Sequence, residues 1–144
     1  MSIWFYEAPS LDAINAFAAN TMLEHLGIEV TAIDEDSITG IMPVDHRTVQ
    51  PMGILHGGAS VALAESLGSY AATLCVDPAR YTCVGLEINA NHIRSVRTGT
   101  VTGTARPIHV GRRTQVWEIR IEDGDGRLVC VSRLTLAVIE RSDG

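Results

Sequence analysis

Residues 48–76, TVQPMGILHGGASVALAESLGSYAATLCV, decide the fold of this chain. Their only charged side chain at neutral pH is that of Glu65, and His56 is the other titratable group that we expect to carry chemistry. An ionised carboxylate among so many small and apolar residues needs a compensating partner or a chemical use. A structural ion pair with an arginine is the plainer alternative, but we favour a functional role for Glu65.

The second part of this stretch, residues 57–76, predicts a buried helix rather than a membrane span. Its 20 residues would be long enough to cross a bilayer. Six of them are Gly or Ser, however, and Glu65 lies near the middle, where hydrocarbon penalises an ionised group by roughly 3 kcal/mol or more. A helix that is apolar on every side is expected where other elements surround it. We therefore place this helix in a protein core and expect no membrane contact.

Length and composition predict a single domain over residues 1–144 and exclude several function classes. The chain is large enough to bury a real core, and its net charge of −6 with a pI near 5.2 gives no reason to bind nucleic acid. Its start, MSIWFYEAPSLD, lacks the basic and apolar regions of a secretory signal, so we expect a cytoplasmic protein. The three cysteines have no CxxC spacing and suit reduced core thiols.

The residues before the central helix predict a helix and two strands. Ser10 is placed to cap a helix over residues 11–26, and Gly27 to end it. Its apolar stripe would be formed by Ile14, Phe17, Met22 and Leu26. Two short strands are expected over residues 29–34 and 37–43, joined by an acidic turn.

The residues after the central helix predict an antiparallel sheet. A loop at residues 77–79 precedes about four long strands with period-two alternation. The faces expected to be shared are Val84, Leu86, Ile88 and Ala90; Trp117, Ile119 and Ile121; and Leu128, Cys130, Leu134 and Leu136 around Ser132. The sequence EDGDGR is a strong hairpin turn. This element order predicts an α+β fold in which a curved antiparallel sheet wraps one long central helix.

Two runs of the chain resemble the hotdog-fold acyl-CoA thioesterases: residues 50–72, QPMGILHGGASVALAESLGSYAA, and residues 84–95, VGLEINANHIRS. The HGG start of a helix with a carboxylate nine residues after the histidine is specific for the wider family. LEINANHIRS, with the later QVWEIRI and SRLTLAVI, narrows the resemblance to the branch that holds 1,4-dihydroxy-2-naphthoyl-CoA hydrolase and the proofreading thioesterase of enterobactin synthesis. The resemblance covers about residues 20–139 and implies the hotdog fold.

The spacing of His56 and Glu65 predicts a site built from two chains. Nine residues of helix separate them by roughly 13 Å, which is too far for both to reach one small carbonyl. If two chains pair about a two-fold axis, the start of one central helix can meet the middle of the other, which gives two equivalent sites per dimer. The resemblance implies such shared sites, commonly in dimers of dimers.

The residue types at this helix suit attack on a thioester. The helix start offers free backbone N–H groups and a positive dipole end to an oxyanion, and Gly57 allows close approach. Glu65 would act either as a nucleophile, through a mixed anhydride, or as a general base for water. Ser69, four residues later on the same helix face, could hold that water. The resemblance implies that Gln50 and His56 orient the thioester or its leaving group.

The resemblance also implies a path for the pantetheine and nucleotide of coenzyme A. Its residues are Gly85, His92, Ile93, Arg94, Ser95, His109, Val110, Gly111, Arg112, Arg113 and Thr114. The three arginines would meet phosphate, although an ordinary solvated cluster of charges is the alternative. Candidates for an aromatic acyl pocket are Met52, Ile54, Leu67, Tyr70 and Leu74, for each of which core packing is an equal explanation.

Other chemistries are less well supported by the sequence. No close histidine spacing predicts a metal site, no GxSxG elbow is present, and no separate cofactor is implied because coenzyme A belongs to the substrate. The alternative functions are a proofreading thioesterase that acts on an aroyl carrier protein, a hotdog-fold hydratase or dehydratase, and a noncatalytic acyl-CoA binding protein.

Overall fold

The computed structural model describes residues 1–142, and within them the chain forms three helices and six strands. In chain order they are α1 (Leu11–Ala16), α2 (Met22–Leu26), β1 (Glu29–Ile33), β2 (Ile38–Pro43), α3 (Gly57–Leu74), β3 (Tyr81–His92), β4 (Thr100–Val110), β5 (Thr114–Glu122) and β6 (Leu128–Glu140).

The six strands form one antiparallel sheet in the order β1-β2-β4-β5-β6-β3. The predicted α+β arrangement, the two early strands and the four long later strands are confirmed. The EDGDGR turn joins β5 to β6, with Gly126 in the left-handed region at φ 77°. Within residues 1–142, β3 is an edge strand whose outer side pairs with no other strand.

The long helix α3 packs against β2 through β6 and forms the centre of the core. Leu63 and Leu67 are fully buried, and each such side chain contributes about 1.5–3 kcal/mol by leaving water. Gly68 lies so close to the sheet that an added Cβ would stand 2.7 Å from Leu134 Cδ2. The small residues of the helix therefore bring it close to the strands.

The prediction of one continuous helix over residues 11–26 is wrong. The chain forms two short helices, and between them Asn20 adopts a positive φ of 61°. The side chain of Asn15 ties α1 to the first strand, because it donates to the Val30 carbonyl at 2.9 Å and accepts from the Val30 N–H at 2.8 Å. Thr21 then caps a new helix. Ser10 and Gly27 do cap and end the pair as predicted.

The predicted apolar stripe on this helix pair is also wrong, since Phe17 is 73% and Met22 57% exposed while only Ile14 is fully buried. Phe17 caps the end of α1, and Met22 begins a separate helix after the break at Asn20. Residues spaced for one face of a single helix therefore no longer share a face.

The predicted common face of β3 is wrong for two of its four residues, Val84 and Leu86. The register between β3 and β6 shifts between Gly85 and Glu87, so that Gly85 pairs with Leu136 and Ile88 with Leu134. Such a bulge changes which residues point to each face. Gly85 consequently points toward Glu65 of α3, and Ile88 and Ala90 pack against the core. Val84 and Leu86 stay exposed.

The N-terminal segment covers the end of the core, which the sequence analysis did not predict. The ring of Trp4 stacks on that of Trp117 with 6.4 Å between centroids, and its Nε1 donates to the Asp34 carbonyl. The fully buried Gln115 accepts from Trp117 Nε1 at 2.8 Å and donates to the Ala72 carbonyl at the end of α3. The core therefore contains a satisfied polar chain at this end.

The three cysteines are free, as predicted. Cys130 is buried, and Cys75 and Cys83 are half-buried. Burial raises the pKa of the Cys75 thiol to about 12, so this thiol is protonated and poorly nucleophilic at neutral pH.

We predict that Gly40→Ala destabilises the fold. A Cβ at Gly40 would stand 2.7 Å from Leu67 Cδ2 and 2.9 Å from the Glu29 carbonyl oxygen, and that oxygen cannot move without disturbing β1. Overpacking of this kind costs about 1–3 kcal/mol. Urea unfolding should show this loss for Gly40→Ala and almost none for Gly124→Ala, whose Cβ meets open space. Equal stability of the two variants would contradict the packing described.

Candidate active site

The loop that leads into α3 is held by Thr48. This buried residue donates its hydroxyl to the Pro43 carbonyl at 2.7 Å and accepts from the Asp45 N–H at 3.1 Å. Its backbone carbonyl accepts from the His56 N–H at 2.8 Å. The side chain and backbone of Thr48 thus fix the residue that immediately precedes the helix to the end of β2.

A tight turn within this loop presents Gln50. The Gln50 N–H donates to the Ile54 carbonyl at 2.9 Å, and the Gly53 N–H donates back to the Gln50 carbonyl at 2.8 Å. Gly53 allows this turn because its φ is +78°. The side-chain oxygen of Gln50 accepts from the Met52 N–H. Within residues 1–142 the side-chain N–H groups of Gln50 have no acceptor, so they are available to a ligand.

His56 is the N-cap of α3, and its ring nitrogen Nδ1 accepts from the Gly58 N–H at 2.7 Å. This bond fixes a ring tautomer with the proton on Nε2, which faces away from the helix. His56 was predicted as a site residue, but its capping role was not. Because the imidazole uses the Gly58 N–H, the neighbouring Gly57 N–H remains free within the described residues.

His92 lies against this helix start. A Cβ at Gly57 would stand 2.7 Å from His92 Nε2, so only glycine leaves room for the ring. The two residues open onto a cleft of about 340 Å³. The cleft is lined by Gln50, Ile54, Leu55, Gly57, Ser60, His92, Ile93, Arg94, Ser95 and Val129. It joins a positive helix end, several polar groups and an apolar wall in one place.

Glu65 lies farther along α3, beside the middle of the edge strand. Its Oε2 is 2.6 Å from the position that a Cβ of Gly85 would occupy, and Glu65 is half-buried. Within residues 1–142 its carboxylate has no ion pair, since every salt bridge there involves other acidic groups. The alternative considered for Glu65, a structural ion pair with an arginine, is therefore absent from residues 1–142.

One chain does not bring Glu65 to the cleft. His56 and Glu65 are nine residues apart along α3. This spacing corresponds to roughly 13 Å along the helix axis. Ser69 follows Glu65 by four residues on the same helix and is half-buried. The predicted site residues thus fall into two groups within one chain, with Gln50, His56 and Gly57 in the first and Glu65 and Ser69 in the second.

The residues predicted for coenzyme A also fall into separate places. His92 to Ser95 line the cleft, and Gly85 contacts Glu65. The run from His109 to Thr114 forms the β4–β5 connection at the opposite end of the sheet. There Arg112 and Arg113 line a second open cleft of about 550 Å³ together with Tyr81.

Two further arginines contact Tyr81, which lines this second cleft, and neither was predicted. The Arg80 guanidinium lies 5.1 Å from the centroid of the Tyr81 ring. Arg141 donates to the Tyr81 carbonyl at 3.2 Å. Arg80 could have been found from its place in the chain, because it stands directly before β3, the strand that begins beside the predicted cluster.

The candidates for an acyl pocket have different surroundings. Ile54 lines the first cleft. Leu67 instead packs on the sheet glycines Gly40 and Gly103 and is fully buried, which makes it a core residue. Met52 is exposed; Tyr70 and Leu74 are half-buried. Burial raises the pKa of the Tyr70 hydroxyl, which therefore stays protonated.

Residues 1–142 offer neither a membrane-spanning helix nor a metal-binding cluster. No helix there has the length and apolar character needed to cross a bilayer. The same residues contain no cluster of three or more His, Cys, Asp or Glu side chains that could hold a metal ion.

The sequence matches the family described as Thioesterase superfamily over residues 52–130. It is 52% identical over 130 residues to the 1,4-dihydroxy-2-naphthoyl-CoA hydrolase of Escherichia coli, covering 90% of this chain and 95% of that protein. It is 51% identical over 130 residues to the proofreading thioesterase EntH of Cronobacter turicensis, covering 90% of this chain and 94% of that protein. These similarities confirm the resemblance found in the sequence.

Solved structures give the same result. A mutant thioesterase from Pseudomonas aeruginosa aligns with a TM-score of 0.95 at 54% identity, covering 97% of this chain and all of that chain. A thioesterase from Haemophilus influenzae aligns with a TM-score of 0.92 at 53% identity, covering 96% of this chain and 95% of that one.

We predict that Thr48→Val loosens the helix start. The change keeps the shape of the side chain but leaves the Pro43 carbonyl and the Asp45 N–H without their buried partner, which costs about 1–3 kcal/mol. Urea unfolding should show that loss, and the His56 amide should exchange faster in hydrogen-exchange measurements. Thr102→Val is the matched control, because the Thr102 hydroxyl has no hydrogen bond within residues 1–142. A Thr48→Val protein as stable as this control would contradict the anchoring role.

Proposed function

This chain belongs to the thioesterase superfamily and has the hotdog fold, and from that premise we propose that it hydrolyses aromatic acyl-CoA thioesters, with Glu65 as nucleophile or general base. Its relatives are named thioesterases and a CoA hydrolase, and the family indicates hydrolysis of thioesters.

The observation that carries this proposal is the free N–H of Gly57. The His56 ring occupies the next N–H of the helix, so the first one stays available at the bottom of a cleft. A thioester carbonyl placed there would receive a hydrogen bond that strengthens as the carbonyl oxygen gains negative charge, and the helix dipole adds to this effect. Gln50 and His92 would hold the thioester from either side.

Glu65 would supply the attacking group. Its carboxylate has no ion pair within residues 1–142, which leaves it free to attack the thioester carbon or to take a proton from water. Direct attack gives a mixed anhydride that water then opens, and the general-base route delivers water in one step. Both routes end in a carboxylic acid and free coenzyme A, and both need only water as co-reactant.

The two halves of this site come together if two chains pair along β3. Within residues 1–142 the outer edge of the strand is unpaired, and Val84 and Leu86 on it are exposed. Long apolar edges normally pair with another strand. A two-fold axis between Ile88 and Asn89 would set Gly85 of one protomer opposite His92 of the other. Glu65 contacts Gly85 and Gly57 contacts His92, so this pairing would direct Glu65 toward the partner's helix start.

The same pairing would assemble the proposed binding path for coenzyme A. In one chain, residues 92–95 and residues 109–114 lie at opposite ends of the sheet. Antiparallel pairing of two β3 strands would bring the Arg112 and Arg113 corner of one protomer near Ser95 of the other. Phosphates of the nucleotide would then meet arginines, while the pantetheine arm follows the cleft. A dimer of dimers would contain two such pairs.

The acyl specificity rests on the cleft and on the named relatives. Ile54, Leu55 and Val129 give the cleft an apolar wall suited to a flat ring, and one relative is named for a dihydroxynaphthoyl thioester. We therefore propose naphthoyl or hydroxybenzoyl groups. An aroyl carrier protein is the alternative thioester donor, because another relative is named a proofreading thioesterase. The free cysteines suit a cytoplasmic location.

We predict that Glu65→Gln lowers kcat for benzoyl-CoA by about a thousandfold or more, because it removes the attacking carboxylate and keeps its size. The measurement is release of free thiol, which also separates hydrolysis from hydration of an acyl chain. Glu122→Gln, an exposed change on β5, should keep full turnover. A folded Glu65→Gln protein with nearly unchanged kcat would contradict the proposal.

A further inference from the structure

Ser60 places a hydroxyl in the cleft that the mechanism above does not use. It lies in the first turn of α3, lines the cleft, and is only 1% exposed. Its backbone N–H donates to the His56 carbonyl at 3.2 Å. Its hydroxyl has no hydrogen-bond partner within residues 1–142. The little exposure that Ser60 keeps is therefore exposure to the cleft.

The Ser60 hydroxyl makes no hydrogen bond to its own helix. A helical serine commonly donates to the carbonyl four residues earlier, and Ser66 on the same helix does so, at 2.6 Å from the Ala62 carbonyl. Ser60 forgoes that local bond and borders the cleft instead. Its hydroxyl is therefore available to a polar atom of a ligand that enters the cleft.

The position of Ser60 favours a partner other than the reacting oxygen. Ser60 follows Gly57 by three residues, so it lies about one turn into the helix on the same face. A carbonyl oxygen that accepts from the Gly57 N–H lies beyond the helix start, because the free N–H groups of a helix point out of its first turn. The Ser60 hydroxyl can reach atoms a few bonds from that oxygen.

The exposure of the cleft residues tells which half of the thioester lies there. Ile93, Arg94 and Ser95 are exposed and form the mouth. Leu55 and Val129 are buried and form the floor with Ser60. The long polar arm of coenzyme A must leave through the mouth, so the acyl group occupies the floor.

We propose that the Ser60 hydroxyl hydrogen-bonds a hydroxyl group on the acyl ring and so makes the enzyme selective for hydroxylated aroyl thioesters. This inference rests on the proposed hydrolysis of aroyl thioesters. A serine hydroxyl both donates and accepts, which suits a phenolic partner that does the same. An unsubstituted ring offers no partner to the serine. The selectivity therefore comes from the hydrogen bond gained with a hydroxylated ring and from the unpaired serine left by an unsubstituted one.

The test compares Ser60→Ala with Ser66→Ala on benzoyl-CoA and its three monohydroxy isomers. The wild type should favour at least one hydroxylated isomer in kcat/KM. Ser60→Ala should lose about five- to tenfold on that isomer, the effect of one neutral hydrogen bond, and less than twofold on benzoyl-CoA. Ser66→Ala should keep the wild-type ratio, because its hydroxyl bonds within the helix.

Binding of inert analogues keeps this test independent of turnover. Phenacyl-CoA and its hydroxyphenacyl counterparts carry a methylene between carbonyl and sulfur and are not hydrolysed. Ser60→Ala should raise Kd for the matching hydroxy analogue alone, by a similar factor. An equal loss on all ligands, or no loss on any, overturns the role of Ser60. A wild type that hydrolyses none of the four thioesters contradicts the proposed function instead, and the analogue affinities still decide the Ser60 contact.

Discussion

The unpaired carboxylate of Glu65 constrains everything around it. It is held in the middle of an otherwise uncharged helix, beside a glycine of an edge strand, with no ion pair in the part of the chain that the structure describes. A half-buried acid without a partner is costly unless something else completes its surroundings. In our account, a second copy of the chain and the thioester complete them. In a dimer paired along β3, the edge of this strand and the Glu65 carboxylate would both lie at the interface between the two chains.

Glycine occurs where the parts of the site must approach each other. Gly57 makes room for the His92 ring at the helix start, and Gly85 makes room for the Glu65 carboxylate on the strand. A methyl group at either position would push a functional side chain away rather than merely crowd the core. His56 also keeps the helix start open, because its ring caps the Gly58 N–H and leaves the Gly57 N–H for a ligand.

Much of this arrangement follows from local sequence rules, and the rest depends on tertiary contacts. The buried helix, the strand order along the chain and the EDGDGR turn could be predicted because small residues, alternation and turn residues act locally. The split near Asn20 could not, because it depends on the bond from Asn15 to the distant Val30 backbone. The β3 bulge at Gly85 is likewise invisible to a period-two pattern. The position of Ser60 on the same helix face as Gly57 could have been predicted from their spacing of three residues. That its hydroxyl makes no hydrogen bond within residues 1–142 depends on the folded structure.

The central claim, that each site takes Glu65 from one chain and His56 from another, is tested most directly by subunit mixing. Glu65→Ala and His56→Ala chains are inactive alone in this account. After denaturation and random reassociation of equal amounts, half of the dimers should be mixed, and each should contain one intact site. Thiol release from benzoyl-CoA should then recover to about a quarter of the wild-type rate per chain. Mixed dimers that are demonstrably formed and yet show no recovery would contradict a site shared between two chains.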